Sequence, residues 1–269
     1  MMFNGDVIPL ASARVSPLGD GLIQGHGLFE TIKVLGGAPV FFAEHFGRLR
    51  QGAATLGLAF ATTPDELRAR SLRVLAANRV TDGGLKIVIF QDEGRVSEMI
   101  LTQPARYPPE LYLRGFQLKT VGFGRRCDPT AGLKTLNYLP FALAKRAAQA
   151  AGFDEALLMD DRGTVLEGAT SNVFVVKDGK VATPSLTLGI LPGIVRAQML
   201  EHLGTDPVCE GAITLEQLQQ ADEVFVTNSL LGVMPVARVD EHCYDLSRGS
   251  VTQAVMAEYQ RLEWQSVAG

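Results

Sequence analysis

The sequence feature that most constrains the fold is a two-residue turn, Asp178-Gly179, inside the run NVFVVKDGKVAT. Asp-Gly favours the tight turn that joins two antiparallel strands, and the residues around it are rich in β-branched side chains. Gly36-Gly37 turns in the same way between the strand-like runs GLFETIKVL and APVFF. Such hairpins alternate with helical segments along the chain. The mixture predicts an α+β fold with two domains rather than a doubly wound parallel sheet.

Helices are predicted where apolar residues recur at helical spacing or where capping residues open a segment. Residues 42–58 meet the first criterion, and Thr63-Pro64 opens a helix that runs to about Asn78. Thr63 is suited to the N-cap and Pro64 to the first helical position. Later helices are predicted from about Tyr138 to Ala151, from Pro192 to about Leu203, and from Ser250 to Trp264.

A proline-rich stretch separates the two halves of the chain. Residues 102–109, TQPARYPP, are predicted to form neither a helix nor a central strand. LKIVIF precedes this stretch as a buried strand, and the strand-like run LRGFQLKTVGF follows it. We therefore predict a small N-terminal α/β domain at residues 1–115. A larger C-terminal domain with antiparallel strands and helices is predicted at residues 116–269.

Composition predicts a globular protein of the cytoplasm. Of the 269 residues, 46% are hydrophobic and 20% are charged, and the formal net charge of −4 leaves no basic run for nucleic acid. The apolar runs are far too short to span a bilayer, and the N-terminus lacks the pattern of an export signal. We expect neither nucleic acid nor a membrane as a partner.

The cysteines and histidines are scattered. Cys127, Cys209 and Cys243 are odd in number and far apart, and the four histidines show no ligand spacing. The sequence therefore predicts no disulfide framework and no metal site.

The first of three chemical motifs is LKTLNY, which holds Lys134 between apolar residues just before a predicted helix. A junction of this kind can desolvate an amine, which is what a functional lysine requires. Lys119 lies in a near-duplicate LKT. Spacing alone therefore leaves both lysines open as candidates.

The other two motifs suit a flat ring and an anion. In VLEGATSNVF, Glu167 is followed by a turn of small residues, which lets the backbone approach a ring closely. In GILPGIVR, Pro192 precedes a predicted helix whose first N–H groups favour an anion.

In this order the three motifs resemble those of the fold-type IV pyridoxal 5′-phosphate enzymes, and the resemblance covers essentially the whole chain. That family includes branched-chain aminotransferases, D-amino acid aminotransferases and aminodeoxychorismate lyases. The resemblance implies pyridoxal 5′-phosphate as cofactor, a small-molecule substrate and a homodimer. Lys134 would be the catalytic residue that forms a Schiff base with the cofactor, and Glu167 would keep the ring nitrogen protonated.

The resemblance also assigns roles to other residues. The remaining cofactor-binding residues would be Arg48, Tyr138, Ile194, Val195, Asn228 and Ser229. Tyr138 would point its phenol toward the ring hydroxyl, and the others would serve the phosphate. The family usually carries Thr at Val195, so only a backbone amide can contact the phosphate there. The substrate-facing residues would be Phe29, Thr31 and Thr170.

One segment favours the lyases within this family. TNSLLGVMPV is close to their CN-x-x-x-x-x-PV segment, which predicts a 4-amino-4-deoxychorismate lyase that releases 4-aminobenzoate and pyruvate for folate synthesis. Against it, Tyr138 stands where many lyases carry Arg, and QDEGRVSEM replaces the expected RG-x-G-x-RGY. The alternative is an aminotransferase for branched-chain or D-amino acids. The remote alternative is a catalytically silent interaction protein of the same fold.

Overall fold

The computed structural model describes residues 1–104, 107–123, 129–203 and 208–268, so Cys127 and Asp128 of the predicted loop lie outside it. The chain forms two compact units. The first comprises Met1–Arg106, Leu133–Asn137 and Glu263–Gly269, and the second comprises Tyr107–Gly132 and Tyr138–Leu262. The predicted domains, 1–115 and 116–269, stay a prediction. The units interleave along the chain because it returns twice to the first one.

An antiparallel sheet forms the base of the first unit. Its strands are β1 (Met2–Phe3), β2 (Asp6–Val7), β3 (Gly27–Leu35), β4 (Ala38–Pro39), β5 (Gly83–Asp92) and β6 (Arg95–Gln103). Their order in the sheet is β2-β1-β6-β5-β3-β4. The helices of this unit are α1 (Asp20–Ile23), α2 (Phe42–Thr55) and α3 (Pro64–Ala77).

One face of β3 packs into the hydrophobic core of the first unit. Leu28 and Ile32 lie there with Phe46 and Leu49 of α2. Because side chains alternate along a strand, Glu30 points to the same face and is buried as well. A carboxylate in that position needs polar partners to offset its desolvation.

The local signals of the first unit are confirmed, and one segment is corrected. The turn at Gly36-Gly37 joins β3 to β4, and Thr63 forms a capping box at the start of α3. Strand β6 was not predicted. It includes Thr102 and Gln103, and it lies between β1 and β5, so the prediction of no central strand was wrong for those two residues. The prolines that motivated that prediction come only after β6 has ended.

A mixed sheet forms the base of the second unit. Its strands are β7 (Phe116–Gly122), β8 (Glu155–Met159), β9 (Thr164–Gly168), β10 (Asn172–Lys177), β11 (Lys180–Pro184), β12 (Cys209–Gly211), β13 (Ile213–Thr214), β14 (Glu223–Asn228), β15 (Gly232–Val239) and β16 (His242–Cys243). The helices that begin in this unit are α4 (Pro109–Arg114), α5 (Leu139–Ala150), α6 (Ile194–His202), α7 (Leu215–Gln219) and α8 (Ser250–Ala268).

The strand order in this sheet is β12-β11-β10-β14-β15-β7-β8-β9-β13, and β16 pairs with β15. Parallel pairs join β15 to β7, β7 to β8 and β11 to β12, and the other pairs are antiparallel. The turn at Asp178-Gly179 joins β10 to β11, as predicted. The α+β fold class is confirmed.

Helix α4 is a second correction. Pro109, which was predicted to lie outside any helix, is its first residue, and Leu113 and Arg114, which were predicted to be part of a strand, are its last two. Gly115 then ends it with a positive φ of 74°. Across the described ranges, we find no helix that combines the length and the apolar character needed to cross a membrane.

The capping box gives a testable prediction for stability. Thr63→Ala should lower the free energy of unfolding by about 1 kcal/mol, because the Thr63 hydroxyl accepts a hydrogen bond from the N–H of Glu66. Urea denaturation measures this loss. Thr55→Ala is the control, since its exposed hydroxyl donates to the Gln51 carbonyl at the end of α2. Equal losses in the two variants would contradict the assignment of the cap.

Candidate active site

Lys134 lies in the short segment Leu133–Asn137, which pairs with the start of β3. The N–H of Phe29 donates to the Lys134 carbonyl at 2.9 Å, and the N–H of Leu136 donates to the Gly27 carbonyl at 3.0 Å. These two backbone hydrogen bonds, one at Lys134 and one two residues later, fix the main chain of the segment against β3.

The side chain of Lys134 is half-buried against an aromatic ring. Its Nζ lies 4.6 Å from the centre of the Phe29 ring, and Lys86 Nζ lies 4.8 Å from the same centre. Thr31 is directly opposite Lys86 in the pairing of β3 with β5. Alternation along β3 puts Phe29 and Thr31 on one face. Two predicted substrate residues and the predicted catalytic lysine are therefore found together in the first unit.

On the opposite face of β3, Glu30 contacts two residues of α2. Arg48 donates from Nε to Oε1 at 2.8 Å and from Nη2 to Oε2 at 2.6 Å. His45 Nδ1 lies 2.7 Å from Oε2 of the same carboxylate. His45 and Arg48 are three residues apart, which places both on one side of the helix. The predicted phosphate ligand Arg48 therefore has one edge of its guanidinium fixed by a carboxylate.

Burial and charge set the protonation of this cluster. Burial acts to raise the pKa of Glu30, but Arg48 and His45 outweigh it and lower that pKa from 4.5 to about 2. Burial lowers the pKa of His45 below 6.5, whereas the Glu30 carboxylate acts to raise it. The positive charges of Arg48 and Lys134 lower this pKa further. At neutral pH, Glu30 is therefore ionised and His45 is neutral. The effect of Lys134 on His45 also places this lysine within electrostatic range of the cluster.

In the second unit, Glu167 organises the loop that leads into α6. Its Oε2 accepts a hydrogen bond from the N–H of Leu191 at 3.0 Å, and Asn172 Nδ2 donates to the Leu191 carbonyl at 2.9 Å. Any Cβ at Gly193 would collide with Asn172 Oδ1, so this position requires glycine. The main chain of Leu191 thus connects the buried Glu167 carboxylate to the Asn172 side chain, just before the start of α6.

The N-terminus of α6 presents main-chain N–H groups without a side-chain cap. Gly193 is the N-cap, and Ile194 and Val195 are the first two helical residues. The predicted start at Pro192 was therefore two residues early, because Gly193 has extended rather than helical torsions. An uncapped helix start suits an anion.

The end of β14 supplies hydroxyl groups and an amide. Thr227 is 1% exposed, and its hydroxyl has no hydrogen-bond partner in the part of the chain that the structure describes. Ser229, half-buried, follows in the turn after β14. Asn228 Oδ1 accepts from two N–H groups of that turn, and its Nδ2 donates to the Thr170 carbonyl at 3.1 Å. A buried hydroxyl that lacks a partner fits a site that is completed by a polar ligand such as phosphate.

Tyr138 is the N-cap residue of α5, and its phenol faces the turn after Glu167. Its hydroxyl donates to the Ala169 carbonyl at 2.6 Å, and its ring stacks on Phe141. Burial raises the pKa of Tyr138, and the charges of Glu155 and Glu167 add to this effect. The phenol is therefore protonated and acts as a donor. Its predicted contact with the cofactor stays a prediction.

A buried polar network supports the same turn and was missed by sequence reasoning. The Thr170 hydroxyl donates to Glu155 Oε2 and accepts from Lys145 Nζ at 3.2 Å. Lys145 Nζ also lies 3.7 Å from Glu155 Oε2. Burial raises the pKa of Glu155, and Lys145 and Thr170 offset only part of the rise. In the sequence, Glu155 precedes the apolar residues of a strand, and nothing there marks it as a buried charge.

Glu30 and His45 were also missed as partners of Arg48. The helical spacing of His45 and Arg48 in EHFGR is a signal that could have joined them. Among the residues that the structure describes, no group of three or more His, Cys, Asp or Glu side chains could hold a metal ion.

Comparisons with known proteins find a family whose members this chain resembles. The family model described as amino-transferase class IV matches residues 27–239. A putative branched-chain-amino-acid aminotransferase of Methanocaldococcus jannaschii is 31% identical over 97% of this chain and 96% of its own length. An aminodeoxychorismate lyase of Bacillus subtilis is 29% identical over 96% and 92%. The crystal structure of a putative 4-amino-4-deoxychorismate lyase from Legionella pneumophila matches with a TM-score of 0.87 at 26% identity, covering 94% of this chain and 97% of that one.

The network around Glu155 predicts a pH-dependent loss of stability. Lys145→Met should cost about 3 kcal/mol at neutral pH, because it leaves a buried carboxylate without its cation. Because the pKa of Glu155 is raised in the folded state, the folded protein holds the proton of the Glu155 carboxyl group more tightly than the unfolded chain does. Stability therefore falls as the pH rises from the ordinary value of 4.5 through the raised one. The loss in Lys145→Met should grow over that range in urea denaturation.

Two further variants make this test specific. Adding Glu155→Gln to Lys145→Met should restore much of the lost stability, because no buried charge then remains. Lys177→Met, whose partner Asp222 is exposed, should change stability far less. A double variant as unstable as the single one would show that the charge pair is not the cause.

Proposed function

Because the chain belongs to the class IV aminotransferase family, whose cofactor is pyridoxal 5′-phosphate, we propose that it is a 4-amino-4-deoxychorismate lyase. It would release 4-aminobenzoate and pyruvate, in the cytoplasm and as part of folate synthesis, and act as a homodimer. The segment TNSLLGVMPV carries the proposal, since it is close to the corresponding segment of the lyases. Its Asn228 side chain holds the turn that carries Thr170.

The described side chains supply each group that the cofactor requires. The phosphate needs a cation and N–H donors, which Arg48 and the uncapped start of α6 provide. The ring nitrogen needs a carboxylate, and Glu167 is buried. The aldehyde needs an amine, and Lys134 has one with a fixed backbone. These roles are proposed residue by residue from the chemistry of the groups.

When bound, pyridoxal 5′-phosphate supplies an electron sink for the charge left when the amine-bearing carbon of the substrate loses a proton. The Lys134 amine would remove that proton as general base. The bond to the enolpyruvyl oxygen then breaks and the substrate ring becomes aromatic. Lys134 returns the proton to the departing enolate, which gives pyruvate. Glu167 would keep the ring nitrogen of the cofactor protonated.

A PLP-dependent aminotransferase is the second candidate. It is favoured by the Methanocaldococcus jannaschii relative and by Tyr138, which stands where many lyases carry Arg. In that reaction the same lysine would move the proton to the C4′ atom of the cofactor. A keto acid would then leave and a second substrate would follow. The two candidates differ in whether turnover requires a keto acid.

The first experiment uses that difference. Purified protein with pyridoxal 5′-phosphate is given 4-amino-4-deoxychorismate, and 4-aminobenzoate and pyruvate are measured together. We expect equal amounts of both products without any added keto acid. No turnover would reject the lyase, and a panel of L- and D-amino donors with 2-oxo acids would then test the aminotransferase.

A second prediction concerns the lysine that bonds to the cofactor. After borohydride reduction of the loaded protein, peptide mass spectrometry should find the cofactor on Lys134. Lys134→Ala should remove this adduct and lower turnover by at least about 1000-fold, since both the base and the covalent attachment are lost. Lys119→Ala, in the near-duplicate LKT, is the matched control and should keep both. An adduct that persists in Lys134→Ala would reject the assignment of Lys134 as the residue that bonds to the cofactor.

A further inference from the structure

We propose that Glu30 and His45 are positioning residues that hold the guanidinium of Arg48 in the orientation that binds the phosphate of the cofactor. The inference rests on the proposed role of Arg48. It assigns the selectivity for a phosphorylated cofactor to three residues of the first unit, of which only one would touch the phosphate.

The geometry of the pair fixes the guanidinium in its plane. Two N–H groups of Arg48, on Nε and Nη2, donate to the two oxygens of Glu30 at 2.8 and 2.6 Å. Such a forked contact sets both the position and the tilt of the planar group. An arginine without it would lose side-chain conformational entropy when an anion binds. Glu30 makes Arg48 lose that freedom before the ligand arrives.

His45 fixes the carboxylate in turn. Its Nδ1 lies 2.7 Å from Oε2, the oxygen that also accepts from Arg48 Nη2. Glu30 is ionised and accepts hydrogen bonds only, so Nδ1 must carry the proton of the neutral imidazole. His45 is 2% exposed, and its packing in α2 therefore determines where the carboxylate lies.

Stability alone gives little reason for this arrangement. Glu30 occupies a strand face whose neighbours, Leu28 and Ile32, are apolar. Replacing a buried ion pair by apolar residues of similar volume is often neutral or stabilising. An apolar residue in place of Glu30 could not orient the Arg48 side chain, whereas the carboxylate can.

Glu30 has two opposing effects on phosphate binding. The charge of Glu30 repels an anion and offsets part of the attraction from Arg48. Its forked contact orders the arginine and thereby favours binding. We infer that the ordering outweighs the repulsion, and this balance can be measured.

The experiment compares two ligands of the apoprotein that differ only in the phosphate. Dissociation constants for pyridoxal 5′-phosphate and pyridoxal are measured by absorbance titration, and their ratio is taken for each variant. Both ligands carry the aldehyde, so the bond to Lys134 cancels in the ratio. Glu30→Gln should reduce the preference for the phosphorylated ligand about tenfold, the size expected for weakening one charge-assisted contact. Its affinity for pyridoxal should change less than about twofold.

His45 is tested by a pair of variants that keep or remove the donor. His45→Leu should lower the preference in the same direction as Glu30→Gln. His45→Asn keeps an N–H in nearly the same place and should retain most of it. Arg50→Gln, a change in the neighbouring arginine that lies over the Phe46 ring, is the control and should leave the ratio unchanged. If Glu30→Gln does not fold, Glu30→Asp and the His45 pair decide the question.

Two outcomes would overturn the inference. The ratio stays the same in Glu30→Gln, which includes an equal fall of both affinities, or the preference for the phosphorylated ligand rises. Arg48→Lys separates this failure from that of the proposed function. If Arg48→Lys also leaves the ratio unchanged, the phosphate role of Arg48 is rejected. Because no substrate is present, the result does not depend on whether the protein is a lyase or an aminotransferase.

Discussion

The antiparallel contact between Leu133–Asn137 and the start of β3 is the constraint on which the candidate site depends. This segment is flanked in sequence by residues of the second unit, yet it belongs to the first. Its Leu136 side chain packs against β3 so closely that a Cβ at Gly27 would lie 2.7 Å from it. The contact sets Lys134 beside the Phe29 ring and within electrostatic range of His45.

Three buried carboxylates, Glu30 in the first unit and Glu155 and Glu167 in the second, are each compensated differently. Glu30 has a cation and an imidazole beside it and is ionised. Glu155 has an ammonium and a hydroxyl as partners, and its pKa is raised. Glu167 accepts a backbone N–H. Desolvating a carboxylate is costly unless such partners are correctly placed. Each carboxylate therefore fixes the groups beside it within its own unit.

Local signals in the sequence predicted much of the secondary structure. Asp178-Gly179 joins its hairpin as expected, and Thr63 caps its helix. These features depend on residues within a few positions of one another, so the sequence displays them directly. Strand β6 and the parallel pairs of the second sheet were not predicted. Strand β6 forms a hairpin with β5 across the turn Glu93-Gly94, so its signal is local and was overlooked. The parallel pairs join strands that are distant in the chain, and no short motif records such pairing.

The sequence by itself determined the fold class, and its resemblance to the fold-type IV enzymes indicated the cofactor and made Lys134, Glu167 and Arg48 the candidate site residues. The tertiary structure decided which groups stand beside them. Glu30 lies 18 positions from Arg48, and Leu191 lies 24 positions from Glu167. A hydrogen bond requires two atoms at about 3 Å with the correct direction. For residues so far apart, that condition is set by the packing of strands and helices rather than by spacing along the chain.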